Sequence, residues 1–266
     1  MPKPTVALLT DFGTRDHYAG VLKGVVLSIC PDATLVDLSH DLPAHDIPFA
    51  SLELAASYKF FPAGTIFLVV VDPGVGSARR GIAADAGDWK FVAPDNGVLT
   101  AVFQEAPPRR VVELTERRYA RPTVSRTFEG RDRFAPAAGW LAKGIQLPAL
   151  GRAITDYHVL DLPRPVLDGH VLRGQVVRVD RFGNVVTNLD RKTCEKLTAG
   201  AQGVQIVIGG HAIDRLVSTF VDISAGEVGA LFGSTDHLEF AAHATSAATQ
   251  LGAVVGARVE LRRVEP

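Results

Sequence analysis

Cysteine is nearly absent from this 266-residue chain: Cys30 and Cys194 are the only two, far apart and outside any C-x-x-C pair. Two such residues build no disulfide framework, and they leave a structural zinc site without its usual thiolates. An excess of either charge is also lacking. The 28 basic and 29 acidic side chains give a formal charge of −1, so no global field exists to hold nucleic acid or an anionic membrane. The run Arg109, Arg110, Arg117, Arg118, Arg121 and Arg126 is interrupted by acidic residues and reads as a solvated face. Long apolar runs are missing too. Ile66 to Val71 is typical, far below the roughly 20 residues of a membrane span. Met1-Pro2-Lys3-Pro4-Thr5 leads into a strand pattern without the apolar region of a signal peptide, so a cytoplasmic protein is expected. The histidines lack metal spacing: H-E-x-x-H is absent, His40 and His45 are not i, i+4, and no metal is expected.

The first part of the chain alternates strand and helix patterns. Val6-Ala7-Leu8-Leu9 is an apolar run ending in Thr10-Asp11-Phe12-Gly13, and residues 16–29 then place Tyr18, Val21, Leu22, Val25 and Val26 at helical spacing. Residues 35–38 suggest a second strand and 46–60 a second helix. Thr65 to Val71 is apolar and β-branched, as suits a strand buried on both faces of a mostly parallel sheet. Further strands are expected near 81–85 and 90–93, and a helix over 133–143. After about residue 155 the pattern changes. Leu162-Pro163-Arg164-Pro165 reads as a linker, followed by short strand-like runs at 174–180, 184–188, 203–208, 228–232, 236–241 and 253–263. The expected fold class is α/β: an N-terminal α/β domain over 1–160 with a mostly parallel central sheet, and a smaller, mostly β C-terminal domain over 168–266.

Asp72-Pro73-Gly74-Val75-Gly76-Ser77-Ala78-Arg79-Arg80 sits where a buried strand leaves the sheet, the usual place for ligand groups in α/β folds. Its glycines permit close backbone approach, and Asp72 and Arg79 offer opposite charges on one loop; a glycine-rich turn with a surface ion pair would look the same. A phosphate-binding P-loop is excluded because no Gly-Lys-Ser/Thr follows, and the dinucleotide fingerprint fails because Arg79 stands where its third glycine belongs. The D-x-G-x-G motif of class I methyltransferases is closer, but it follows the first strand and opens a helix, whereas this segment runs into Gly81-Ile82-Ala83-Ala84. Asp11 at the end of the first strand could hold a ribose diol or cap the following segment. Asp180-Arg181-Phe182-Gly183-Asn184 could be a hairpin turn, or an aromatic surface flanked by carboxylate and amide that suits a purine or ribose. A serine-hydrolase elbow, G-x-S-x-G, is absent.

Taken in order, these segments resemble the SAM hydroxide adenosyltransferase family, the S-adenosyl-L-methionine (SAM) hydrolases related to fluorinase and chlorinase. The resemblance runs nearly end to end. It includes Leu9 to Gly13, Val71 to Ser77, Ala93-Pro94-Asp95-Asn96-Gly97, Thr127 to Pro136, Asp180 to Asn184 and Leu238-Glu239-Phe240-Ala241. It implies an N-terminal α/β domain, a C-terminal β domain and a homotrimer with SAM bound between subunits, SAM being substrate with no separate cofactor. Carried over by position, Asp11 and Phe12 would meet the ribose end of the substrate, and Phe128 and Gly130 would wall the pocket. Asp180 and Asn184 would lie near the ribose and the methionine amine, Phe182 near adenine or ribose, and Ser234 near the methionine carboxylate. Gly233 stands where an asparagine is expected. Asp72 and Arg79 match two members of the family's Asp, Arg and His catalytic set. The third departs: the family motif Thr-Phe-His-Gly-Arg-Asp carries Glu129 in place of its histidine. The resemblance therefore implies hydrolysis of SAM to adenosine and methionine by water or hydroxide, with Glu129 as base or water-positioner. The departure leaves two other readings open: a non-catalytic SAM- or adenosine-binding protein, and another SAM enzyme, halogenase-like or a methyltransferase.

Overall fold

A computed structural model describes residues 3–264; Met1, Pro2, Glu265 and Pro266, which the domain bounds above include, lie outside the described residues. One compact unit ends at Leu162 and a second begins at Pro163. The first runs β1 (Thr5–Thr10), α1 (Tyr18–Ile29), β2 (Thr34–Ser39), α2 (Ile47–Ser57), β3 (Ile66–Val70), β4 (Gly81–Ala86), β5 (Trp89–Pro94), α3 (Thr100–Glu105), β6 (Pro108–Leu114), α4 (Ala135–Ala142) and β7 (Gly151–Ile154).

Side chains alternate across a strand, so an unbroken apolar run feeds two cores at once. In β1, Ala7 and Leu9 enter the layer beneath α2 and α3, while Val6 and Leu8 enter the layer beneath α1 and α4. In β3, Phe67 and Val69 take the first side, and Ile66, Leu68 and Val70 the second. The sheet order is β2-β1-β3-β5-β4-β6-β7.

The expectation of a mostly parallel sheet needs correction. The pairs β2–β1, β1–β3 and β3–β5 are parallel, but β5–β4, β4–β6 and β6–β7 are antiparallel. The reason is connection length. Gly87-Asp88 is all that separates β4 from β5, and a parallel return needs a dozen residues or more. Gly87 takes the positive φ of 55° that so tight a turn requires.

Beyond β7 the chain is strapped back onto the first unit. Arg80 donates from Nη1 to Asp156 Oδ1 (2.8 Å) and from Nη2 to the Asp156 carbonyl (2.7 Å). The His158 N–H donates to Asp95 Oδ1 (2.7 Å), and the Leu160 N–H to Thr100 Oγ1 (2.9 Å). Tyr157 meets Phe103 edge-on, and Leu162 is buried in the α2–α3 layer.

The second unit contains β8 (Val166–Asp168), β9 (Val171–Val179), β10 (Val185–Asp190), α5 (Arg191–Thr198), β11 (Gly203–Ile208), β12 (His211–Ile213), β13 (Val228–Phe232), β14 (His237–Ala242), α6 (Ala247–Leu251) and β15 (Arg258–Val264). Its antiparallel order is β12-β11-β15-β9-β10-β14-β13, with β8 also on β9. The two helices went unforeseen because both are short. Each is opened by a side-chain cap: Asp190 accepts from the Thr193 N–H, and Ser246 from the Thr249 N–H. The last strand begins at Arg258 rather than 253, after the turn at Gly256. No helix among the described residues is long and apolar enough to cross a membrane.

Phe91 is fully buried, stacks on Phe67 (centroids 5.2 Å apart, 15° between planes) and meets Tyr58 edge-on. Phe91→Ala should cost the first unit about 3–5 kcal/mol, measured as a fall in the urea midpoint at unchanged slope.

Candidate functional site

Parallel strands deliver their carboxyl ends to one edge of a sheet. Here β2, β1, β3 and β5 lie in that order, so His40, Asp11, Asp72 and Asp95 follow one another along the edge, each at or just past the end of its strand. Because β4 runs antiparallel to β5, its beginning returns to the same edge and brings Arg79 and Arg80 with it. The topology that departs from expectation is what sets Arg79 opposite Asp72.

The Arg79 guanidinium grips Asp72 with both arms: Nε donates to Oδ1 at 2.8 Å and Nη2 donates to Oδ2. The same Nη2 lies 2.6 Å from Glu129 Oε2, and all three side chains are at most about one-tenth exposed. That second approach is an ion pair without hydrogen-bond alignment, and Glu129 Oε2 is buried without a hydrogen bond. Phe134 lies against the guanidinium, 5.1 Å from its carbon to the ring centroid. Burial pushes the Asp72 carboxyl above its ordinary range; Arg79 opposes this, while the charges of Glu129 and Asp11 add to it. Two carboxylates share one buried cation.

Glu129 is placed by a wide helical turn, Gly130–Phe134, that leads into α4 with the Ala135 N–H bonded to the Gly130 carbonyl. Pro136 has no N–H to offer the Asp132 carbonyl, which accepts from the Arg121 N–H instead (2.8 Å). The Asp132 side chain is fully buried and takes both arms of Arg131 (2.7 Å each) and the Ser125 N–H (2.9 Å). Burial alone would raise its pKa, but Arg131, Ser125 and Arg121 together hold it below the ordinary value. Across from this segment, Gly76 has φ 79°, and a Cβ there would overlap the Arg126 carbonyl oxygen. The loop after β3 and the segment before Glu129 therefore touch backbone to backbone.

Asp11 is half-buried, and its Oδ2 accepts from the His45 N–H (2.8 Å). Phe12 and Phe128 meet edge-on at 5.9 Å, and Arg131 lies over the Phe128 ring. Gly130 is buried with Val70 and Leu22 packed where a Cβ would point, so only its backbone is available to a ligand. Tyr18 is one of the residues at helical spacing in α1. It is 40% exposed and completes an aromatic cluster, 5.2 Å from Phe128 and 5.7 Å from Phe12. Its place at the start of α1, just past the Asp11 turn, was the available signal.

In the second unit Asp180 and Asn184 are brought together. Asp180 Oδ1 accepts from the Phe182 and Asn184 N–H groups and Oδ2 from Asn184 Nδ2, all at 2.9 Å. This closed turn presents Phe182, 79% exposed, at its tip. Gly183 (φ 84°) has no room for a Cβ against Ser246. Ser234 is exposed in the turn between β13 and β14. A residue given no role from sequence stands beside it: Glu239 is buried, its pKa raised by burial and by the Asp180 charge against the opposing effect of Arg178. A Cβ at Gly233 would overlap the Glu239 carboxylate, so that carboxylate fills the space of the missing side chain. Among the described residues no cluster of three His, Cys, Asp or Glu side chains could hold a metal ion.

Comparison with known proteins gives this geometry a context. Residues 6–151 match the SAM hydroxide adenosyltransferase N-terminal domain, and residues 174–260 match the corresponding C-terminal domain. The (R)-S-adenosyl-L-methionine hydrolase of Thermus thermophilus is 37% identical over 96% of this chain and 98% of its own. The enzyme of the same name from Salinispora tropica is 35% identical over 98% of each. A fluorinase from an Actinoplanes species is 30% identical over 85% of each. The crystal structure of an uncharacterized conserved protein from Thermotoga maritima superimposes with a TM-score of 0.92 at 35% identity, covering 97% of this chain and all of that one. The chain belongs to the SAM hydroxide adenosyltransferase family.

Proposed function

We infer that this protein is an enzyme that hydrolyses SAM to adenosine and L-methionine. The observation that carries the reading is the buried Asp72–Arg79–Glu129 cluster at the carboxyl edge of the sheet, in a chain whose family match spans both halves. The relatives' names specify the (R) sulfonium epimer, which makes that epimer the first substrate to assay.

Water attacks the ribose C5′; the C5′–O bond forms as the C5′–S bond breaks, and the electron pair returns to sulfur. Methionine leaves as a neutral thioether and needs no acid. The step needs an oriented water and a base for its proton. Asp72 has both oxygens committed to Arg79 and serves as the anchor of the cluster. Glu129 Oε2 is ion-paired to Arg79 but makes no hydrogen bond, and Glu129 is the group to take the proton and pass it to solvent. Two carboxylates on one cation, with Asp11 nearby, repel a halide and favour neutral water, which supports hydrolysis over halide exchange.

In this reading Asp11 holds the ribose hydroxyls, and Phe12, Phe128 and the Gly130 backbone line the nucleoside side. Asp180 and Asn184 meet the ribose and the methionine amine, Phe182 the adenine or ribose, and Ser234 the methionine carboxylate. The closed Asp180 turn supports this, because Oδ2 accepts only from Asn184 Nδ2 and keeps a lone pair for an ammonium group, while Oδ1 is filled by two backbone donors. The working assembly is a homotrimer with SAM between subunits, located in the cytoplasm, where the two buried free cysteines stay reduced.

Incubation with SAM in oxygen-18 water should give adenosine labelled at its 5′-hydroxyl together with methionine. Asp72→Ala should abolish this, and Glu129→Ala should lower kcat by about 10²–10⁴-fold. Bound SAM without adenosine above the spontaneous background would leave a binding protein instead.

A carboxylate whose folded-state pKa is raised stabilises the fold while protonated and loses that contribution as pH rises through the raised value. Removing Arg79 takes away the group that opposes the rise. Arg79→Met should therefore cost about 3–5 kcal/mol at neutral pH, and most of that loss should return on acidification below the ordinary carboxylate range. Thermal melts across pH measure it; a deficit independent of pH would refute shared charge as its origin.

A further inference from the structure

His40, just past the end of β2, is tied to the turn carrying Asp11 by bonds that no role assigned above explains. Thr10 is fully buried and His40 nearly so, and Thr10 Oγ1 lies 2.8 Å from His40 Nδ1. On its other side the ring meets Asp37, with Nε2 3.0 Å from Oδ1, and Asp37 Oδ2 accepts from Lys23 Nζ at 2.6 Å. A carboxylate only accepts, so Nε2 carries the proton toward Asp37, and in the neutral ring Nδ1 accepts from the Thr10 hydroxyl. The Thr10 oxygen then keeps its lone pairs for the Phe12 N–H, 3.4 Å away. The His40 main chain adds a further tie: its carbonyl accepts from the Gly13 N–H at 2.7 Å, across a turn in which Gly13 has φ 69°.

Asp11 lies inside this bracket. Its own carboxylate is held from the far end of the same segment, where the His45 N–H donates to Oδ2. His45 adopts φ 68°, a left-handed conformation that costs a non-glycine residue energy and is kept where the surroundings demand it. Residues 40–45 therefore hold Thr10 and Gly13 from one end and Asp11 from the other. One Asp11 oxygen is oriented by His45, and Oδ1 is left to face a ligand.

We propose that His40 is a positioning residue for ribose recognition, fixing through Thr10 and Gly13 the turn that aims the Asp11 carboxylate. The proposal rests on the reading that Asp11 holds the ribose hydroxyls. His40 touches no substrate atom in this account, so its effect has to pass through Asp11, and that makes it separable from a general loss of structure.

The test compares kcat/KM for SAM and for its 2′-deoxyribose analogue in the intact enzyme. Wild type should prefer SAM, and Asp11→Ala should erase the preference. His40→Ala should reduce kcat/KM for SAM by about 10- to 100-fold and affect the deoxy analogue far less. The same substitution should add little in an Asp11→Ala background. His40→Asn, whose amide reaches the Nδ1 position, should restore much of the preference. Thr10→Val removes the hydroxyl with little change of shape and should reproduce the His40→Ala pattern should that variant fold poorly. Equal losses on both substrates, or losses additive with Asp11→Ala, overturn the role of His40. If Asp11→Ala itself keeps the ribose preference, the reading beneath it falls, and the proposal with it.

Discussion

A single buried guanidinium organises the first unit's sheet edge. Arg79 answers two carboxylates from different segments, Asp72 after β3 and Glu129 before α4, and Phe134 lies against it. Burying three charges is costly unless the geometry is tight, so the surrounding backbone must be held without slack. Gly76 rests against the Arg126 carbonyl, and the wide turn before α4 is pinned through Asp132 by Arg131, Arg121 and Ser125. Each of these features makes sense as support for a cation that cannot drift. The two carboxylates are not matched by the one cation, and Glu129 Oε2 is ion-paired to Arg79 but makes no hydrogen bond.

Much of the α/β pattern could be read from the chain because buried strands must be apolar at every position, and β1 and β3 are. What periodicity could not supply was strand direction. Residues 81–85 and 90–93 read correctly as strands, but only the length of the link at Gly87-Asp88 decides that they pair antiparallel. That link was in the sequence and was outweighed by the alternating rhythm upstream. Asp72, Arg79 and Glu129 were singled out because the motifs around them are long and ordered, and the structure brings those three together. Tyr18 fits the helical spacing of α1 and is still 40% exposed, because a residue in the first turn of a helix can satisfy that spacing and face outward. His40 and His45 were weighed only as metal ligands, while their bonds to Thr10 and Asp11 span 30 and more positions.

The second unit follows a different logic. Its Asp180 turn satisfies itself, with the carboxylate taking three donors from its own loop, so its shape does not depend on a ligand to fold. Phe182 is then held out at the tip, an apolar ring kept in water by a rigid polar base. The nearby pairing of Gly233 with Glu239 shows how one position can be emptied and its space taken by a neighbour's carboxylate. A substitution at 233 is therefore a change at 239 as well.

The strap of residues 156–162 bears on where the first unit ends. The match to the family's N-terminal domain ends at residue 151, yet Asp156, His158 and Leu160 bond to Arg80, Asp95 and Thr100, and Leu162 is buried. The end of that domain match and the end of the first compact unit differ by some ten residues. A gene fragment cut at the former would lose the covering of α3 and release Arg80 from one of its two carboxylates, next to the arginine on which the site depends. Residues beyond the N-terminal domain match thus belong to the first compact unit as fully as the motifs do.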